Sequence, residues 1–191
     1  MPTVLFAAPP QRWDQYKIPL QNAFANAGLA DTILTTQADP VQVDYIIHAP
    51  NGGLRDFTPF RNLKAVLGLW AGVEDVVDNP TIKVPLARMV DHGLTEGMVE
   101  WVVGHVLRHH LGMDAHINGQ DGRWRAGIVP PLARDRTVAI LGLGVLGQAC
   151  AKTLAGLNFR VAGWARAAKH INNVETFFGT TGLHRMLAQA E

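Results

Sequence analysis

Gly142-Leu143-Gly144-Val145-Leu146-Gly147 spell G-x-G-x-x-G, a spacing suited to holding a pyrophosphate. Gly142 permits a tight turn. Gly144 removes the side chain that would keep a phosphate off the backbone, and Gly147 lets a helix lie close on a strand. At the N-terminus of such a helix, free N–H groups and the dipole favour negative charge. Dinucleotide sites that take NAD usually place an acid about 20 residues further on, against the ribose hydroxyls. Here the corresponding stretch is Gly163-Trp164-Ala165-Arg166-Ala167-Ala168-Lys169, and the first acid after the glycines is Glu175. Ala165 leaves room, Arg166 offers a fixed fork of donors for a phosphate, and Lys169 adds charge nearby. These residues predict NADPH over NADH.

The flanking elements raise the glycine spacing above a bare motif. Residues 137–141 have the length and β-branching of a buried strand. A helical pattern follows, with Leu146, Ala149, Cys150, Thr153 and Leu154 on one side and Gly156 at its end. Residues 159–164 form a second apolar strand. Strand, glycine turn, helix and strand within about 30 residues are the context in which the motif has meaning. Residues 174–178 read as a third strand, and Thr181 as the cap of a final helix with Leu183, Met186 and Leu187 inward.

Earlier in the chain, strands are predicted at 3–8, 32–35, 43–49, 63–70 and 84–90. A helix starting at Pro19, with Leu20, Ala23, Phe24 and Ala27 inward, is capped by Gly28. Strands alternating with helices indicate a parallel α/β sheet. We therefore expect a flavodoxin-like domain over 1–94, and over 95–191 a long helix and the first half of a Rossmann-type domain. Trp70-Ala71-Gly72-Val73 follow a strand end, where ligands gather in such sheets. Their small residues could turn backbone N–H groups to a carboxylate, or form an ordinary strand-to-helix turn; both readings stand.

The helix predicted over 95–116, capped by Thr95, carries Met98, Trp101, Val102, Val106, Leu107 and Leu111 around most of its girth, the mark of a buried helix. His105 and His109 stand one turn apart, but no Cys or acid completes a metal set, so no metal is expected. Arg108 and His110 are assigned to its surface. Arg123-Trp124-Arg125 is one aromatic between two bases, too little for a nucleic-acid surface.

The 191 residues are 48% hydrophobic and 17% charged, with a net charge of +1, which gives no field to recruit nucleic acid or a membrane. No apolar run approaches the ~18 residues of a membrane span. One cysteine, Cys150, cannot form an internal disulfide and fits a reducing compartment; a cytoplasmic protein is expected.

With these residues in view, the sequence resembles the D-isomer-specific 2-hydroxyacid dehydrogenases, most closely the glyoxylate/hydroxypyruvate reductase A branch. LKAVLGLWAGVEDVV (63–77), VPLARMVDHGLTEGMVEWVVGHVLRHH (84–110), TVAILGLGVLGQACAKTLAGLNFRVAGWAR (137–166) and GLHRMLAQAE (182–191) carry the resemblance. It implies that Leu143 to Leu146 lie under the pyrophosphate and that Trp164, Ala165 and Arg166 surround the adenosine ribose and its 2′-phosphate. It assigns Trp70, Ala71, Gly72 and Val73 to the carboxylate of a small 2-oxoacid, and the 95–116 helix to a homodimer. The family's catalytic Arg, Glu and His would follow Glu191, so the chain reads as an N-terminal fragment and no catalytic role is given to any of its histidines. The expected function is reduction of a small 2-oxoacid by the parent enzyme. The alternatives are a non-catalytic dinucleotide-binding sensor or scaffold, or an inactive truncated product.

Overall fold

The computed structural model describes residues 1–124, 126, 127 and 129–190; Arg125, Ile128 and Glu191 fall outside the described residues. The chain divides into two compact units, Met1–Val90 and Asp91–Glu191.

The first unit holds β1 (Thr3–Ala7), α1 (Trp13–Asn26), β2 (Ile33–Thr35), β3 (Tyr45–His48), β4 (Ala65–Gly68) and β5 (Leu86–Ala87). The strands are parallel in the order β2-β1-β3-β4-β5. That is the flavodoxin-like order, with its switch point between β1 and β3. Strand alternation divides the core into two faces. Val4, Phe6 and Ile47 lie with Trp13, Tyr16, Leu20 and Phe24 of α1, while Val43, Ile46, Phe57, Leu63 and Val66 fill the opposite face.

Several boundaries differ from expectation. α1 starts at Trp13 and carries Pro19 inside it rather than at its start. Trp13 and Tyr16 pack on Phe6 in tilted contacts, with ring centroids 5.4 and 5.8 Å apart, and this packing holds the turns before the proline. Ala23 and Ala27 are exposed. The predicted strand at 84–90 shrinks to Leu86–Ala87, and α1 is the one α-helix described in this unit. The segment after β4 forms turns and does not enter a helix, which removes the strand-to-helix reading of residues 70–73.

The second unit holds α2 (His92–His110), α3 (Met113–Asn118), β6 (Thr137–Leu141), α4 (Val145–Gly156), β7 (Arg160–Ala165), β8 (Glu175–Phe178) and α5 (Gly179–Leu187). Its sheet is parallel in the order β6-β7-β8, one half of a doubly wound arrangement. α2 and α4 cover one face with Leu143, Ala151, Leu154, Phe159, Val161, Ala165 and Ile171 in the core. α5 covers the other, where Ala162, Phe177 and Met186 are buried. Each large apolar side chain taken fully from water contributes about 1.5–3 kcal/mol.

Here too the sequence reading is corrected at element ends. α2 begins at His92 and is capped by Asp91, whose Oδ2 accepts the Leu94 N–H at 3.2 Å, so Thr95 is not the cap. It stops at His110, and α3 follows the Leu111-Gly112 break. His110 is 7% exposed, not on the surface, and its ring meets Phe159 edge-on at 4.9 Å. Trp101 is 63% exposed, so α2 is not buried all round. Leu141, expected inside, is 63% exposed at the end of a strand that pairs only with β7 among the described residues. α5 follows directly on Phe178, leaving Thr181 within it, and Leu187 is 47% exposed. On α4 the buried residues are Cys150, Ala151 and Leu154, with Thr153 turned outward.

Candidate functional site

β6 ends at Leu141, and Gly142 reverses the chain with φ +99°, a conformation that side chains resist. Its N–H donates to the Trp164 carbonyl at 2.9 Å, which ties the turn to β7. Gly144 precedes the first residue of α4, and a Cβ placed on it would meet no protein atom within 4 Å. The backbone at Gly144 is therefore bare and open. A Cβ on Gly147 would lie 1.8 Å from the Gly142 carbonyl oxygen, so the helix can rest on the turn only because that position is glycine. Val145 is 62% exposed at the head of α4, and Leu146 is half-buried beside it. The first N–H groups of a helix have no partner within it, so the head of α4 can receive an anion.

Leu143 is the anchor of this turn. Its side chain is 1% exposed and occupies space that a side chain at Gly163 would need, since a Cβ there would come within 2.6 Å of Leu143 Cδ2. Gly163 was not singled out from the sequence, although a glycine inside a strand marks a close approach. The Leu143 carbonyl accepts hydrogen bonds from Lys169 Nζ at 2.7 Å and from Gln148 Nε2 at 3.0 Å. Gln148 carried no signal in the sequence.

The end of β7 brings Trp164, Ala165 and Arg166 beside the glycine turn through the pairing of Leu141 with Trp164. Trp164 donates its indole N–H to the Gly179 carbonyl at 2.8 Å, and its ring packs on the α5 face. Ala165 is 7% exposed and packs in the Leu143 core, so its side chain points inward. Arg166 is exposed and makes no hydrogen bond or ion pair with the described residues. An unpaired guanidinium next to a turn open to phosphate fits a phosphorylated ribose, and the bare Gly144 backbone fits a pyrophosphate.

In the first unit, Trp70, Ala71, Gly72 and Val73 follow β4. Trp70 is 44% exposed, and its carbonyl accepts the Met89 N–H at 3.1 Å. Ala71 and Val73 are half-buried and Gly72 is exposed. The Val73 carbonyl accepts N–H groups from Val76 and Val77, closing the turn. Glu74 folds back over Gly72, with Oε2 2.7 Å from where a Cβ would stand. That carboxylate was not foreseen, and it is a like charge beside a loop suited to an anion. His48, at the end of β3, is 1% exposed; its Nε2 lies 3.2 Å from the Leu54 carbonyl, and its ring meets Phe57 edge-on. Burial pushes its pKa below the usual 6.5, with a smaller opposing effect from the Leu54 carbonyl. Among the described residues no group of three or more His, Cys, Asp or Glu could hold a metal ion, and no helix is long and apolar enough to cross a membrane.

The family described as D-isomer specific 2-hydroxyacid dehydrogenase, NAD binding domain, matches residues 101–191. Over 126 residues the chain is 37% identical to glyoxylate/hydroxypyruvate reductase A of Yersinia enterocolitica, a match covering 61% of this chain and 40% of that protein. A D-isomer specific 2-hydroxyacid dehydrogenase from Xanthobacter autotrophicus, solved with NADPH and MES, superposes with a TM-score of 0.85 at 30% identity, over 99% of this chain and 61% of its own. The NADPH-dependent glyoxylate/hydroxypyruvate reductase of Sinorhizobium meliloti, solved with NADP and sulfate, gives 0.76 at 32% identity, over 98% of this chain and 59% of its own. The chain thus spans about three-fifths of the length of these solved structures.

Proposed function

Given that this chain belongs to the D-isomer-specific 2-hydroxyacid dehydrogenases, we propose that the protein it forms part of reduces a small 2-oxoacid of the glyoxylate or hydroxypyruvate class, with NADPH preferred over NADH. NADPH, when bound, supplies the hydride. Gly142 to Gly147 hold the pyrophosphate on bare backbone at the head of α4. Arg166, with Trp164 and Ala165 beside it, takes the 2′-phosphate. Trp70 to Val73 take the substrate carboxylate.

The observation that carries this reading is the pairing of an open glycine turn with a free guanidinium at the end of the next strand. The NADPH and NADP bound in two of the relatives support it. The 191-residue chain by itself is expected to lack turnover, since none of its histidines is given the catalytic role that the family resemblance implies. A dinucleotide-binding sensor or scaffold without turnover is the second reading, and it rests on the same open glycine turn. We further read the protein as cytoplasmic, from its single buried cysteine, and as a dimer through α2, from the exposed Trp101. NADPH absorbance followed with glyoxylate in the full-length protein separates the two readings: consumption supports the reductase, and binding without consumption supports the sensor.

A further inference from the structure

Leu143 is fixed at both ends: its side chain is sealed in the core, and its carbonyl is held by Lys169 Nζ at 2.7 Å and Gln148 Nε2 at 3.0 Å. Lys169 is itself anchored, because its carbonyl accepts the Thr176 hydroxyl at 2.7 Å, just inside β8. Arg166, three residues earlier, makes no hydrogen bond or ion pair with the described residues. The two cations after β7 therefore do different work in this structure. One is spent on the glycine turn, and the other is available.

We propose that Lys169 is a positioning residue of the glycine turn and that the 2′-phosphate is left to Arg166 alone. The inference rests on the dinucleotide reading given above. In a trans peptide the C=O and the following N–H point in opposite directions. Holding the Leu143 oxygen on Lys169 thus aims the Gly144 N–H to the other side of the turn. Without the tether this peptide, flanked by a glycine, rotates at little cost and can turn an oxygen toward the phosphate. The ammonium also adds positive charge close to the head of α4, which favours any pyrophosphate whether or not the ribose is phosphorylated.

Two probes separate the roles: ADP-ribose carries the pyrophosphate without a 2′-phosphate, and 2′-AMP carries the 2′-phosphate without a pyrophosphate. Calorimetry on Lys169→Met should find ADP-ribose weakened about tenfold, the worth of one charge-assisted hydrogen bond, and 2′-AMP changed by less than about twofold. Arg166→Ala should do the reverse. Loss of 2′-AMP binding in Lys169→Met, alone or together with ADP-ribose, would overturn the proposal. Should Lys169→Met fail to fold by circular dichroism, Gln148→Leu removes the other donor and must weaken ADP-ribose selectively. Amide exchange at Gly142 and Gln148 of the unliganded protein, whose N–H groups donate to the Trp164 and Gly144 carbonyls, must also quicken when the tether is cut, and an unchanged rate overturns the tether. If the wild-type chain binds neither probe, the dinucleotide reading fails, and the exchange rates still decide the tether.

Discussion

Gly147→Ala sets two effects against each other. Alanine inside a helix is favoured over glycine by up to about 1 kcal/mol. Here its Cβ would lie 1.8 Å from the Gly142 oxygen, a backbone atom that can yield only by moving α4 off β6. Overpacking of this kind costs about 1–3 kcal/mol, so the clash wins. Urea unfolding of Gly147→Ala is expected to give a lower midpoint than the wild type, and an unchanged or raised midpoint would contradict the close packing. The turn at Gly142, the bare backbone at Gly144 and the close packing at Gly147 were legible in the sequence because each depends on the absence of a side chain. The engagement of Lys169 was not, because a cation near a phosphate site reads the same whether it faces the ligand or a carbonyl. Gln148 and Glu74 were invisible for a similar reason: their partners come from tertiary placement and not from spacing.

At the scale of elements, β3 carries its buried histidine against the 50–54 loop, and that placement has a pH signature. Burial holds the His48 pKa below its ordinary value of 6.5. Between that lowered value and 6.5 the unfolded chain binds more protons than the native one, so this contribution to stability is full above 6.5 and is lost as pH falls through the native value. Thermal melts from about pH 7.5 down to about pH 5.5 should show a steeper loss for the wild type than for His48→Gln. Equal slopes would mean that His48 titrates normally. The apolar runs of β1, β3 and β7 were readable because a central parallel strand is apolar throughout. Element ends were not. Pro19 reads as a helix start because nothing local reveals that Trp13 and Tyr16 pack on Phe6. His110 reads as a surface residue because its burial depends on Phe159, which lies 49 positions further along the chain.

At the scale of the whole molecule, the two parallel sheets agree with the layout implied by the family resemblance. α2 keeps Trp101 exposed while Val102, Val103, Val106 and Leu107 pack inward, and β6 pairs only with β7 among the described residues. Exposed aromatic surface and an open strand edge both recruit another chain. Sedimentation velocity is expected to find a dimer that Trp101→Glu shifts toward monomer. A stable wild-type monomer would contradict the role given to α2.

The central claim is that a pyrophosphate rests on the bare backbone between Leu141 and Val145, with a phosphorylated ribose at Arg166. Calorimetric titration of the wild-type chain with NADPH and then NADH tests it most directly. The account predicts that both bind and that NADPH binds at least about tenfold tighter, as one charge-assisted phosphate contact provides. Equal or tighter binding of NADH would contradict the part given to Arg166, and no heat with either nucleotide would contradict the site itself.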